Sequence, residues 1–222
     1  MHLLEIKKSY DVVVSLGCNC ATAYHLKRHN LRRFSSPLDW MKSPTLSDVT
    51  RMLMNQFNGF MEIENLCLMG NASHVVEGFE NDEVRPNHIA TYEVKDVYYN
   101  INSYHDFIAV QNQDWSITYP AVKEKFNRRV NRFQEKIIQD NSILFVRLGA
   151  TIDETIELQS VLSKLTKGQF HILIVNLGQQ SVVIEKDWEI DKVCSVQIPN
   201  FNGEDGVYSA WDTILDGITI KE

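Results

Sequence analysis

Residues 143–175 read ILFVRLGATIDETIELQSVLSKLTKGQFHILIV, and this stretch decides the fold. Ile143 to Leu148 is an apolar strand. Asp153 to Leu165 places apolar residues at helical spacing, and Gly168 suits the C-terminal cap of that helix. Phe170 to Val175 is a second strand, apolar on consecutive positions and therefore buried on both faces. Strand, helix and strand in this order form a βαβ unit, and a parallel sheet follows.

Working outward, Val193 to Ile198 is a third strand, and a helical stretch from about Ser209 to Asp216 closes the chain. Toward the N-terminus, Tyr10-Asp11-Val12-Val13-Val14-Ser15-Leu16 is a fourth buried strand, ended by Gly17. A helical stretch follows from Cys20 to His29. Ser43-Pro44 predicts an N-cap followed by proline at the first helical position. That helix would carry Leu46, Val49, Leu53 and Met54 inward and end near Asn58-Gly59. Pro120 opens the clearest helix, with Val122, Phe126, Val130, Phe133 and Ile137 on one face. Arg128, Arg129 and Arg132 are read as its solvated side, as is the basic run from Lys27 to Arg33. Between about 60 and 118, short apolar pieces (Leu66 to Met69, Val75-Val76, Val97 to Ile101) alternate with polar turns, which predicts an irregular insertion of short strands and loops. The predicted fold class is α/β: an open, mainly parallel sheet with helices on both faces, a Rossmann-like three-layer arrangement, forming one domain over 1–222.

The composition agrees with a globular chain. Of 222 residues, 44% are apolar, 23% charged and 10% aromatic, which excludes disordered, collagen-like and coiled-coil classes. No apolar run approaches the roughly 18 residues of a membrane helix. A formal charge of −7 disfavours general nucleic-acid binding. The first residues, Met1 to Lys8, carry Glu5 within their short apolar stretch and show no cleavage site, so a cytoplasmic location is expected. Cys18, Cys20, Cys67 and Cys194 are accordingly expected to be reduced.

In an open parallel sheet, ligands bind beyond the carboxyl ends of the strands. Those ends carry Ser15, Gly17, Cys18, Asn19 and Cys20 after the first strand, Arg147 after the second, and Asn176 and Gly178 after the third. Each alone is as readily a loop residue or cap; their shared edge is the stronger signal. Ser15 to Cys20 reads as a strand, a glycine turn and a helix start, where unpaired N–H groups and the helix dipole favour a thiolate or a phosphate. A small buried cysteine packing the helix on the sheet is the bland reading of Cys20. Cys18 and Cys20 with His25 and His29 fit no common zinc spacing, and Lys27, Arg28, Arg32 and Arg33 disfavour a cation, so no metal is assigned. The chain lacks the Gly-x-Gly-x-x-Gly and P-loop patterns, so no cofactor is assigned either. His105-Asp106 pairs a candidate general base with an acid, although neighbours on a strand point to opposite faces. Ser36-Pro37-Leu38-Asp39-Trp40 is a rigid turn with an acid and an aromatic, which reads either as the wall of a pocket or as an anchored loop.

Ser15-Leu16-Gly17-x-x-Cys20-x-x-Ala23-x-x-Leu26, then Leu31-Arg32, then Ser36-Pro37-Leu38-Asp39-Trp40, resembles the opening of a domain family of unknown function labelled as papain-like cysteine peptidase. That family usually has phenylalanine where this chain has Leu38. His105-Asp106-Phe107, Arg128-Arg129-x-x-Arg132-Phe133 and Leu144-Phe145-Val146-Arg147 resemble its later segments in the same order. The resemblance implies Cys20 as nucleophile and His105 as base, with Asp106 or Asp39 as the orienting acid. A papain-like core places its histidine on an antiparallel sheet, whereas the periodicity here gives a strand leading into the cysteine turn.

Two functions are expected to compete. One is a cysteine-dependent hydrolase or acyltransferase acting on a small molecule or peptide. The other is a transferase or binding domain for a phosphorylated ligand such as a nucleotide-sugar, held by Gly17, the helix start and Arg147. A non-catalytic interaction module would need only that these polar strand ends be structural.

Overall fold

The computed structural model describes residues 1–75, 88–200 and 204–221. A short helix α1 (Leu3–Ile6) precedes β1 (Ser9–Tyr10) and β2 (Val12–Ser15). Helix α2 (Cys20–Arg28), strand β3 (Met41–Lys42) and helix α3 (Leu46–Met54) follow. Three longer strands come next: β4 (Leu66–Val75), β5 (His88–Asp96) and β6 (Ile101–Ile108). Helix α4 (Tyr119–Gln139) leads into β7 (Ser142–Leu148), α5 (Ile152–Leu165) and β8 (Gln169–Gly178). The chain ends with β9 (Ile184–Lys186), β10 (Val193–Pro199), α6 (Glu204–Leu215) and β11 (Thr219–Ile220).

The fold is mixed α/β. Its central sheet has the order β2-β7-β8-β10-β9, with four neighbouring strands parallel and β9 antiparallel at the edge. All four residues of β2 are buried, as are six of seven in β7, because both faces are covered. One face, with Val12, Val14, Phe145 and Ile172, packs against α3, α4 and α5. The other, with Val13, Leu144, Val146 and Val196, packs against α1, α2 and α6. The parallel strands follow one another in chain order without reversal, so among the described residues this sheet lacks the switch point of a doubly wound Rossmann-like sheet.

The region from 60 to 118 corrects the expectation of an irregular insertion. Strands β4, β5 and β6 form an antiparallel meander, and β3 adds to its far side, giving the order β3-β6-β5-β4. Register shifts between Leu68 and Gly70 and between Tyr92 and Val94 break the two-residue alternation that a strand shows in sequence. Val76, half of one predicted apolar piece, lies outside the described residues.

Two helix readings also change. Helix α3 begins at Leu46 with Thr45 as its N-cap, and Ser43 is withdrawn into the core at 0% exposure. Thr45 makes no side-chain cap bond to the helix; Oε1 of Glu154, from α5, accepts from Leu46 N (2.9 Å) and Ser47 N (3.3 Å) instead. The same carboxylate closes a capping box with Thr151 at the start of α5. Helix α3 ends at Met54 rather than near Gly59, because Gln56 and Phe57 adopt left-handed backbone (φ 52° and 62°). On α4, Arg129 is buried against Phe126, while Val130 is only partly covered. No helix among the described residues is long and apolar enough to cross a membrane.

Candidate functional site

The carboxyl edge of β2 and β7 is where loops, thiols and charges converge. Gly17 takes a left-handed backbone (φ 77°) and donates to Ser15 Oγ at 3.1 Å. A Cβ at Gly17 would meet Ser43 Oγ at 2.9 Å and Leu38 O at 3.1 Å, so only glycine fits this turn. Cys18 is half-buried, also with left-handed backbone (φ 93°), and its N–H donates to Ser43 Oγ at 3.0 Å. Asn19 is the N-cap of α2: its Oδ1 accepts from Ala21 N at 2.9 Å. Cys20 is the first residue of α2 and exposed, so it is not the small buried packing residue that composition favours. Cys67 is exposed on β4. Cys194 is buried, and desolvation pushes its thiol up to about 12. All four cysteines are outside disulfides.

Arg147 is the centre of this edge and is completely buried. Its Nη1 donates to Leu16 O and Ser43 Oγ, both at 2.8 Å, Nη2 to Ser43 O at 2.7 Å, and Nε to Gly149 O at 3.2 Å. The guanidinium thus binds the end of β2, the segment between β3 and α3, and the loop after β7. Among the described residues it has no carboxylate partner in an ion pair; burial draws its pKa down, while the Cys18 thiol and Glu154 push it up. A phosphate at this edge would find no part of Arg147 exposed. Asn176 is likewise committed: its side chain accepts from Ala150 N at 2.9 Å and donates to Ala150 O at 3.0 Å.

His105 occupies a different part of the site. It lies on β6, where Tyr104, His105 and Asp106 stand opposite the single residue Glu93 of β5, a bulge. Its ring packs on Trp40, with centroids 6.0 Å apart and planes at 55°. Asp106 turns inward: it accepts from Ser103 Oγ at 2.5 Å and from Lys125 Nζ at 2.6 Å, with Arg129 at 3.9 Å. Although burial works against ionisation, Lys125 and Arg129 hold the Asp106 carboxyl below its ordinary value. Asp39 is buried as well, accepting from Arg32 Nε at 2.7 Å and Ser36 N at 2.8 Å. Desolvation pushes its carboxyl up to about 6 against the pull of Arg32. The structure brings neither acid into a hydrogen bond with His105, nor does it join His105 to Cys20 by one.

Sequence reasoning missed Ser43, Arg32, Lys125 and Arg129. Ser43 sits where a cap is expected and the two arginines in runs that suggest solvated faces, yet the Arg32 side chain is 11% exposed and Arg129 is 8% exposed. An acid seven residues beyond Arg32 in a proline-bearing turn was the available signal. His25, a weak metal candidate, stacks on Trp211 at 4.8 Å, and its burial lowers its pKa to about 4. His29 pairs with Asp212 at 2.8 Å. No group of three or more metal-binding side chains is found among the described residues.

The edge therefore presents an exposed thiol at a helix start, while a histidine beside a tryptophan lies on a strand of the separate antiparallel sheet. A family model described as "Putative papain-like cysteine peptidase" matches residues 11–180. The chain belongs to that family. The span matched by this papain-like cysteine peptidase family contains Cys20, Asp39, Trp40, His105, Asp106, Arg147 and Asn176. An uncharacterized protein of Acanthamoeba polyphaga mimivirus is 27% identical over 218 residues, covering 91% of this chain and 96% of its own length. No solved structure matches the chain.

Proposed function

We propose that the protein is a cysteine-dependent hydrolase or acyltransferase with Cys20 as nucleophile and His105 as general base. The observation that carries this reading is the exposure of Cys20 as the first residue of α2, in a chain of the papain-like cysteine peptidase family. A thiolate at that position faces the positive end of the helix dipole. The Ala21 N–H is taken by Asn19, and the remaining N–H groups at the helix start would serve an oxyanion. His105 on an antiparallel strand, apart from the parallel sheet, supports the papain-like assignment.

His105 takes the thiol proton, and Cys20 Sγ attacks an acyl carbon. The first turn of α2 steadies the oxyanion, and the leaving group departs with the proton from His105. Water or another acceptor then opens the thioester. The burial of Arg147 favours this reading over a phosphorylated-ligand site, because that alternative needs the guanidinium at the ligand.

The test uses p-nitrophenyl acetate as acyl donor, with peptide mass spectrometry to locate the acetyl group. Acetylation at Cys20, abolished in Cys20→Ser, kept in Cys18→Ser and slowed in His105→Gln, is the expected result. Acetylation spread equally over Cys20 and the exposed Cys67, unchanged by His105→Gln, would overturn the proposal.

A further inference from the structure

The bulge takes His105 out of the regular ladder that pairs its neighbours. On one side, Glu93 alone opposes Tyr104 to Asp106. On the other, β3 pairs only through Met41 with Ser103 and Lys42 with Asn102, so its ladder stops two residues short of His105. Asp106 anchors the bulge through Ser103 and Lys125.

A stack of side chains meets the imidazole itself. Arg32 donates from Nε to Asp39 at 2.7 Å and from Nη2 to Ser35 Oγ at 2.9 Å, which fixes the plane of its guanidinium. Asp39 is itself pinned by the Ser36 N–H, and Ser36 Oγ donates to Ser15 O at 3.4 Å, tying the assembly to the end of β2. The guanidinium lies 5.5 Å from the centre of the Trp40 ring, and that ring contacts His105. A cation over an aromatic face gains strength when desolvated, and Arg32 is largely covered.

We infer that Arg32 and Trp40 are positioning residues for His105: Arg32, held by Asp39, fixes the indole, and the indole fixes the imidazole. The inference rests on the reading of His105 as the base. The route also couples the Ser36 to Trp40 turn, which follows α2, to the strand that carries the histidine.

The test reads His105 directly. Its ring resonances, assigned with His105→Gln, are followed by NMR in the wild type, Arg32→Ala, Trp40→Leu and Trp40→Phe. Trp40→Leu should remove the ring-current displacement of His105, and Arg32→Ala should alter it and broaden the signals. Trp40→Phe keeps an aromatic ring but loses the second ring of the indole with Nε1, which is buried without a hydrogen-bond partner among the described residues, so it should keep part of the displacement. Acylation of Cys20 should fall by about 10- to 100-fold in Arg32→Ala, through the rate at saturation rather than KM. If Arg32→Ala does not fold, Arg32→Gln, which keeps a planar head, carries the same measurement. Unchanged His105 resonances in a folded Arg32 variant overturn the positioning role. Full acylation in His105→Gln would instead overturn the role of His105 as base, whatever the resonances show.

Discussion

Replacing Arg147 by alanine should damage the fold before it touches any ligand. Arg147 fills a fully buried position, and its donors satisfy Leu16 O, Ser43 O, Ser43 Oγ and Gly149 O. Truncation would leave three carbonyls from three separate segments without their partner, together with a cavity. A buried acceptor left unpaired costs about 1–3 kcal/mol. Relief of burying the guanidinium offsets part of the sum, so the expected net loss is about 3–5 kcal/mol, the lower part of the range for three stranded acceptors. For a chain of this size that is a fall in Tm of about 10 °C. Arg147→Lys keeps the charge but not the planar fork, and one ammonium cannot reach all three segments; its loss should be smaller, about 1–3 kcal/mol. Urea denaturation followed by tryptophan fluorescence measures both. Cys18, whose N–H shares Ser43 Oγ with Arg147, should be alkylated faster in the alanine variant. A loss below about 1 kcal/mol in Arg147→Ala would refute the bracing role, since even one stranded acceptor costs that much.

Two further outcomes follow from the same edge. Burial raises the Asp39 carboxyl from 3.8 to about 6, so the native state holds this proton more tightly than the unfolded chain does. The stability it contributes is fully present below the unfolded value and is lost as pH rises through about 6. The stability of the wild type relative to Asp39→Asn should therefore fall by about 3 kcal/mol between acid and neutral pH; a difference that stays flat across that window contradicts the assignment. Gly17→Ala should cost about 1–2 kcal/mol from its left-handed backbone alone, and more from the approach of its Cβ to Ser43 Oγ. Denaturation unchanged within about 0.5 kcal/mol would mean that the turn is not as tight as described.

The sequence was most legible where burial is most complete. The strands from Val12, Ile143, Phe170 and Val193 are apolar on both faces, and that pattern survives in any one-dimensional reading. The antiparallel sheet was not legible, because the alternation in β4 and β6 is interrupted by shifted registers and because Leu68 and Met69 of β4 are exposed. The placement of polar residues on the carboxyl edge was readable from strand ends. Their work was not: Arg147, Ser43 and Asn176 hold loops to one another, a fact carried by contacts more than 20 residues apart in sequence. The neighbours of Arg129 on α4 are solvated, which hides its inward turn; the buried carboxylates of Asp106 and Asp39 across the fold attract it there.

The most direct test of the central claim compares two exposed thiols in one folded molecule. Iodoacetamide is applied at about pH 6, where an ordinary thiol is almost wholly protonated, and modification of each cysteine is followed by mass spectrometry. Cys20 and Cys67 are both exposed, so access does not separate them. An activated nucleophile predicts that Cys20 is alkylated well ahead of Cys67, and that the lead disappears on unfolding. Cys20 reacting no faster than Cys67 in the folded protein would contradict the proposed role of Cys20.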